Sequence, residues 1–509
     1  MDLLASMLSQ VDLTFILLIF GGAFAGLFVG AIPGLSVTMA TALLVSITFT
    51  WTVKNALAVI LGVFVSGVYA GAVSAILINI PGAPSSVVTT LDGYPMARKG
   101  EAALALWAAT FHSFIGSVFG FLVLMFVARP LTDFALSFSA MDYFLLALFG
   151  LTTIGTLTAK NYLKGGICAI LGLLLSMVGI DPFSGTARYS FGLTDLQGGI
   201  PLIAALIGLF GFAEVLDQVA RGTMSAIAEQ AGRMRCSFRE MIPYLPLSLR
   251  SSVIGTFIGA LPGAGGPVAS IIAYDQARKS VKNPTRPFGE GAIEGVIASE
   301  AANNACIGGA LIPMLTLAVP GDAVTAVMLA AFYVHGLQPG PLLFVRTPEL
   351  FSVVLAAGFI ACFAMLALGM TVVPRLSGIV LIPKRILMPL VTVLCVVGTY
   401  AVNSSMFDVG LMFCFGLAGF LMRSRGYPAA PMVLGLVLGE MMDSNLRRAV
   451  NMALAGDNII AELFGRPTTL VLSFLVVFSA LAAVPAVKER IGAAASRVLS
   501  VFGPGGDGK

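Results

Sequence analysis

Long uncharged apolar runs alternate along this chain with short stretches in which Lys and Arg collect. An α-helix of about twenty apolar residues crosses the hydrocarbon layer of a membrane, and it satisfies its own backbone polar groups on the way. The pattern therefore predicts crossings at 54–80, 102–128, 142–157, 163–180 and 199–213. Further crossings are expected at 292–319, 350–373, 386–402, 406–422 and 427–441, with a closing helix at 471–487. Two other apolar stretches, 11–50 and 251–274, contain Pro-Gly pairs that a continuous helix does not accommodate. Basic residues flank the second on both sides, Arg239 and Arg250 before it and Arg278, Lys279, Lys282 and Arg286 after it. It is expected to enter and return on one side as a re-entrant hairpin.

One segment occurs in both of these stretches. Gly26 to Gly34 reads G-L-F-V-G-A-I-P-G and Gly255 to Gly263 reads G-T-F-I-G-A-L-P-G, with six of nine positions identical. The first stretch is therefore read as a hairpin too. A hairpin and five crossings in each half, an odd count, place the second half upside down, as in transporters built from inverted repeats. The expected fold is an all-α polytopic integral membrane protein with about 11 crossings and two hairpins. Its parts would be a first repeat over 1–220, a basic cytoplasmic linker over 221–250, an inverted second repeat over 251–466, and a closing helix and tail over 467–509. Arginine and lysine placement puts the N-terminus outside and the C-terminus in the cytoplasm. Arg447, Arg448 and Arg466 then fall outside with Asp443, Asp457 and Glu462 beside them, which points to an interfacial helix.

Composition agrees with this class. Hydrophobic residues are 58% and charged ones 11% of 509 residues, against about 25% charged in soluble domains. A net charge of +4 with no basic patch offers nothing to nucleic acid. The six cysteines, Cys168, Cys236, Cys306, Cys362, Cys395 and Cys414, lack metal-ligand spacing. No Lys or Arg precedes Lys54, so no cleaved signal peptide is expected. The two histidines, His112 and His335, lie outside any H-E-x-x-H pattern, and G-x-x-x-x-G-K-[ST] is absent, so neither an intramembrane metalloenzyme nor an ATPase is expected.

The candidate chemistry lies at the breaks. Each half has a second one: Asn79 to Ser85 reads N-I-P-G-A-P-S, and Ala318 to Val324 reads A-V-P-G-D-A-V. A helix restarting after a break presents free N–H groups and the positive end of its dipole, a ready site for a carboxylate. The substrate-binding candidates are Ser36, Thr38, Asn79, Gly82, Ser85, Ser86, Thr89, Gly263, Gly265, Gly266 and Thr325. Glu300, Asn303 and Asn304 fall within about one helical turn in a run leading to Asp322, and ionisable groups in apolar sequence are costly. These four are the cation-coupling candidates, with a sodium ion at Asn303 and Asp322, or a proton, as the coupling ion; no other cofactor is expected. Glu294 is read as a membrane-edge residue, His112 as a hydrogen-bonded packing residue, and Glu214 and Glu440 as helix ends. The glycine pairs Gly26/Gly30, Gly116/Gly120 and Gly255/Gly259 are read as close helix packing.

Five ordered motifs carry a resemblance: G-L-F-V-G-A-I-P-G-L, N-I-P-G-A-P-S-S, L-D-G-Y-P-M-A-R-K-G (Leu91 to Gly100), G-A-L-P-G-A-G-G and E-A-A-N-N-A (Glu300 to Ala305). In these the chain, from about Gly21 to Arg448, resembles the large membrane subunit of tripartite tricarboxylate transporters. The resemblance implies a bacterial inner-membrane secondary importer of citrate-like or other organic carboxylates, run on an ion gradient. It also implies two partners, a small membrane subunit and a periplasmic solute-binding protein, the latter expected to dock near Arg188 and His335. The competing readings are a stand-alone carboxylate transporter or an anion channel. Elevator-like movement of the hairpins is expected, with rocking of the halves as the alternative.

Overall fold

The computed structural model describes residues 3–157, 162–221, 238–374, 384–456, 460 and 464–482. Expectations that concern Lys160, Arg233, Arg235, Cys236, Arg375, Asp457, Glu462 and the tail beyond 482 lie outside the described residues.

A short α1 (Leu3–Ser9) precedes a helix pair, α2 (Leu13–Ala31) and α3 (Val37–Ile47), and then α4 (Val53–Ile78). A 3-10 turn at Pro84–Val87 leads to α5 (Thr89–Met96), which passes through a π turn into α6 (Ala102–Ala135). Next come α7 (Ala140–Leu157), α8 (Tyr162–Ser176) and a two-stranded ladder, β1 (Gly179–Ile180) against β2 (Ala187–Arg188). A second π turn joins α9 (Leu202–Leu206) to α10 (Ala213–Arg221). The later part begins with α11 (Phe238–Met241) and a second helix pair, α12 (Leu245–Ala260) and α13 (Gly265–Ser280). It continues with α14 (Ile293–Leu317), α15 (Ala323–Val334), α16 (Pro341–Arg346) and α17 (Pro348–Thr371). It closes with α18 (Lys384–Asn403), α19 (Met406–Ser424), α20 (Ala429–Leu454) and α21 (Pro467–Ala482).

Among the described residues, 6 helical segments are long and apolar enough to cross a membrane: Leu13–Ala31, Val53–Ile78, Thr89–Ala135, Leu202–Ala220, Pro348–Thr371 and Met406–Ser424. Exposed apolar side chains run along single helix faces, as Leu13, Leu17, Phe20 and Phe24 do on α2 and Leu249, Val253 and Phe257 on α12. Such stripes at helical spacing face lipid. The helix α14 is the reverse case: every residue from Ile293 to Thr316 is buried in protein. It can therefore carry Glu300, Asn303 and Asn304 without exposing them to lipid.

Several boundaries differ from those expected. The crossing placed at 427–441 is the start of α20, which runs on to Leu454 and carries Asp443, Arg447 and Arg448 on the same rod. Charge alone had ended it, but the stretch contains no Gly or Pro after Gly439 to stop a helix. The crossing at 199–213 continues through the π turn to Arg221, so Glu214 lies within one helical segment, Leu202–Ala220, rather than at its end. The helix α12 begins at Leu245, ahead of the 251 boundary, with Pro246 in its first turn, where the missing N–H costs nothing.

The helices pack in three groups. A central bundle holds α2 to α6 and α12 to α17, with α4 packed on α2 and α17, and α14 on α6 and α12. One flank joins α7 and α8 to α20 and α21; the other joins α9 and α10 to α18 and α19. The short helices α3 and α15 carry contacts from the centre to the flanks.

Two central features come in matched pairs. The helix α4 ends on Asn79 at φ 56°, ψ 25°, and α14 ends on Ala318 at φ 58°, ψ 26°, a left-handed conformation uncommon for residues other than glycine. Beyond each end, a Pro-Gly pair lies against one of the repeated segments. Gly82 meets the Gly30 carbonyl and Gly321 the Gly259 carbonyl, so closely that neither position has room for a Cβ. The repeated segments pack alike as well. Gly26 and Gly30 of α2 lie on the backbone of Val63 and Gly67, and Gly255 and Gly259 of α12 on that of Ala302 and Cys306.

Candidate functional site

The turn between α12 and α13 is tied to the break after α14, because the Gly263 N–H donates to the Gly321 carbonyl at 2.8 Å. The helix α13 then starts with two glycines that face different neighbours. A Cβ on Gly265 would lie 3.4 Å from the Asp322 Cβ. One on Gly266 would strike the Asn303 side-chain oxygen and come within 3.2 Å of the Ser85 Cβ. Glycine thus lets Ser85 from the first half and Asn303 from the second meet at the first turn of α13, where backbone N–H groups have no helical partner. The Ser86 hydroxyl, which lies against Gly71 of α4, is buried without a hydrogen-bond partner among the described residues.

One turn along lies a second polar cluster that spans both halves. Thr89 Oγ1 of α5 donates to Glu300 Oε1 at 2.5 Å and lies 3.3 Å from Ser299 Oγ. Ser113 Oγ of α6 donates to Glu300 Oε2 at 3.4 Å. Asn304 Nδ2 donates to Ser113 Oγ at 2.8 Å and to the Glu300 carbonyl at 3.1 Å. Thr89, Glu300 and Asn304 are fully buried, and no Lys or Arg among the described residues pairs with Glu300. A buried carboxylate served only by hydroxyls and amides is expensive unless a proton or a cation joins it.

The remaining candidates take up other positions. Asp322 and Thr325 form a capping box on α15, with Asp322 Oδ1 accepting the Thr325 N–H at 2.8 Å and Thr325 Oγ1 accepting the Asp322 N–H at 2.8 Å. Ser36 caps α3, accepting the Met39 N–H at 3.1 Å, and Thr38 is half-buried in its first turn. Asn79 is exposed, and its contribution is the left-handed turn that ends α4; Gly82 supplies the close approach described above. At the first hairpin turn Gly34 lies under the side chain of Gln218 from α10, which donates to Glu214 Oε1 at 2.8 Å. Glu214 pairs in turn with Arg423 of α19.

Asp92 is the residue that sequence reasoning missed. It is fully buried in L-D-G-Y-P-M-A-R-K-G, one turn beyond Thr89. Its Oδ1 accepts the N–H groups of Gly289, Gly291 and Ala292 at 2.8, 2.9 and 2.8 Å, and Oδ2 accepts the Tyr274 hydroxyl at 2.8 Å. Asp92 thereby fixes α5 against α13 and the start of α14, the helices that carry Thr89, Gly266 and Glu300. Outside this cluster, Glu294 accepts from the Thr285 backbone and hydroxyl, and His112 Nδ1 lies 3.0 Å from Ser248 Oγ.

Residues 16–434 match the model of the Tripartite tricarboxylate transporter TctA family. The chain is similar to an uncharacterized 52.8 kDa protein in the TAR-I ttuC' 3' region of Agrobacterium vitis, 36% identical over 432 residues, 85% of this chain and 86% of that one. It is also similar to an uncharacterized protein in the TAR-II ttuC' 3' region of Agrobacterium vitis, 36% identical over 196 residues, 38% of this chain and 81% of that one. No solved structure matches. A multi-pass helical protein with buried polar groups gathered at helix breaks, matched over most of its length, this chain belongs to the TctA family, and is a large membrane subunit of a tripartite tricarboxylate transporter rather than an enzyme.

Proposed function

We propose that the chain forms the transport pathway of a binding-protein-dependent secondary importer that moves tricarboxylates or related organic carboxylates on a cation gradient. In this reading it sits in a bacterial inner membrane, N-terminus outside and C-terminus cytoplasmic, beside a small membrane subunit. A periplasmic solute-binding protein delivers substrate near Arg188 and His335. The two halves are inverted repeats, a reading supported by the matched ends at Asn79 and Ala318 and by the matched contacts of Gly30 and Gly259.

The observation that carries the site is the convergence of Ser85, Gly266 and Asn303 at the start of α13, with the Thr89–Glu300 bond one turn away. The substrate carboxylates take the free N–H groups of α13 and the hydroxyls of Ser85, Ser86 and Thr89. A cation enters beside Asn303 and Asp322, which flank Gly266 and Gly265, and relieves the electrostatic cost of Glu300. Sodium is favoured over a proton because an amide such as Asn303 offers an oxygen ligand but does not carry a proton.

The test uses the complete tripartite transporter in proteoliposomes, with citrate as probe. Asp322→Asn keeps a good helix cap while removing the charge. It is expected to raise the sodium concentration for half-maximal uptake about tenfold, the loss of roughly one charge-assisted contact. An unchanged ion requirement rejects the coupling assignment. Full uptake by this chain without its partners rejects the binding-protein-dependent reading.

A further inference from the structure

A cavity of about 730 Å³ lies beside the break after α14, walled by the end of α8, the β1 loop, the end of α15 and α20 from Leu436 to Arg448. It touches the break after α14 at Ala318 and includes none of the substrate or cation candidates named above. Its volume falls within the roughly 300–1,000 Å³ of small-molecule sites. Four charged side chains line it: Arg188, Glu440, Asp443 and Arg448.

Their pairing decides what the cavity can hold. Asp443 receives Arg447 Nε at 2.9 Å and Arg188 at 3.3 Å, while Asp181 receives Arg447 at 3.2 Å and lies 3.7 Å from Arg188. In that knot two arginines and two aspartates cancel. Arg188 retains a buried Nε with no acceptor among the described residues. Arg448 is exposed and pairs with no described carboxylate. Glu440 stands eight residues earlier on α20, about 12 Å along the axis, too far to neutralise Arg448 in a polar setting. Ser444 lies one turn from Arg448 on the same helix and also faces the cavity. Arg448 and the rest of this wall beyond 434 lie outside the family-matched residues.

We propose that this chamber is a second carboxylate site, in which Arg448 and Arg188 hold one carboxylate of the substrate before it passes Ala318 to the site at the breaks. The proposal rests on the carboxylate reading above and adds a place where the anion waits. Its charge is met by guanidinium here and by helix N-termini at the breaks.

The complete transporter in proteoliposomes again provides the test, with citrate as probe. Arg448→Glu is expected to raise the citrate KM about tenfold at low ionic strength, with the difference shrinking as salt is added; Arg448→Lys is expected to restore it. Independently of those variants, Ser444→Cys in an otherwise unaltered Arg448 background should react with an anionic methanethiosulfonate faster than with a neutral one, and citrate should slow the reaction. An Arg448→Glu transporter with an unchanged KM, or Ser444→Cys labelling indifferent to citrate and to reagent charge, overturns the chamber while leaving the carboxylate reading intact. If the wild-type system takes up no organic carboxylate, both fall.

Discussion

Removing the Asp92 side chain would strand three backbone N–H groups and the Tyr274 hydroxyl in a buried joint. Each unpaired buried group costs about 1–3 kcal/mol, so Asp92→Ala is expected to lose at least about 3 kcal/mol of stability. Asp92→Asn keeps an oxygen for the three N–H groups and should lose much less. Thermal melting of the detergent-solubilised protein separates the two, and equal, wild-type melting of both would show that the joint is dispensable. Asp92 also marks what a single sequence reveals at this scale. Glu300 and Asn303 were legible because charge and amide are costly in a long apolar run, whatever they touch. Asp92 stands in a short polar motif, and three of its four donors are backbone groups about two hundred residues away, which no side chain announces. Asp322 lies between these cases. Its place in A-V-P-G-D-A-V marked it as a possible ion ligand, but the Asp-x-x-Thr spacing to Thr325 also encodes the cap that the structure contains.

At the scale of elements, glycine spacing and Pro-Gly pairs were read more reliably than lengths. Gly26/Gly30 and Gly255/Gly259 predicted close packing, and each lies on a neighbouring backbone with no room for a Cβ. A branched residue there must push two buried helices apart. Gly255→Val or Gly30→Val is therefore expected to cost more than about 3 kcal/mol, the range of severe overpacking. Gly410→Ala, with nothing within 4 Å of the new methyl group, should be neutral or gain about 0.5–1 kcal/mol from helix propensity. Comparable melting of Gly255→Val and Gly410→Ala would remove the packing argument. Helix ends were less legible because charge and hydrogen bonding decide different things. Asp443, Arg447 and Arg448 end the apolar run, yet α20 continues because the stretch beyond Gly439 holds no breaker, the Arg447–Asp443 pair bridges one turn of the helix, and two arginine–carboxylate contacts secure it to Arg188 and Asp181. The π turns after Met96 and Leu206 have no sequence signature of comparable strength.

For the whole molecule, the sequence predicted two similar halves but not how they interlock. Each flank combines helices from both halves, α7 and α8 with α20 and α21, and α9 and α10 with α18 and α19, whereas all the candidate site residues lie in the central bundle. The centre reaches the flanks through the short helices α3 and α15, and through Gln218 of α10 over Gly34. That division suits an elevator, in which the central unit would carry the proposed site, the flanks would serve as the scaffold, and the surfaces between them would slide. Ser36 starts α3 beside one such surface, and Ser85 is buried at the start of α13. In a cysteine-free background, cysteines at these two positions are expected to be shielded from a membrane-impermeant thiol reagent by citrate. In the absence of citrate each should become reachable from opposite sides of the membrane in different states. Labelling at both positions that ignores citrate would reject the site at the breaks. If protection holds but accessibility switches while depth-sensitive probes on α3 and α13 stay level with α8 and α19, the site stands and the halves rock instead. An elevator requires both probes to change depth together relative to those flanking helices.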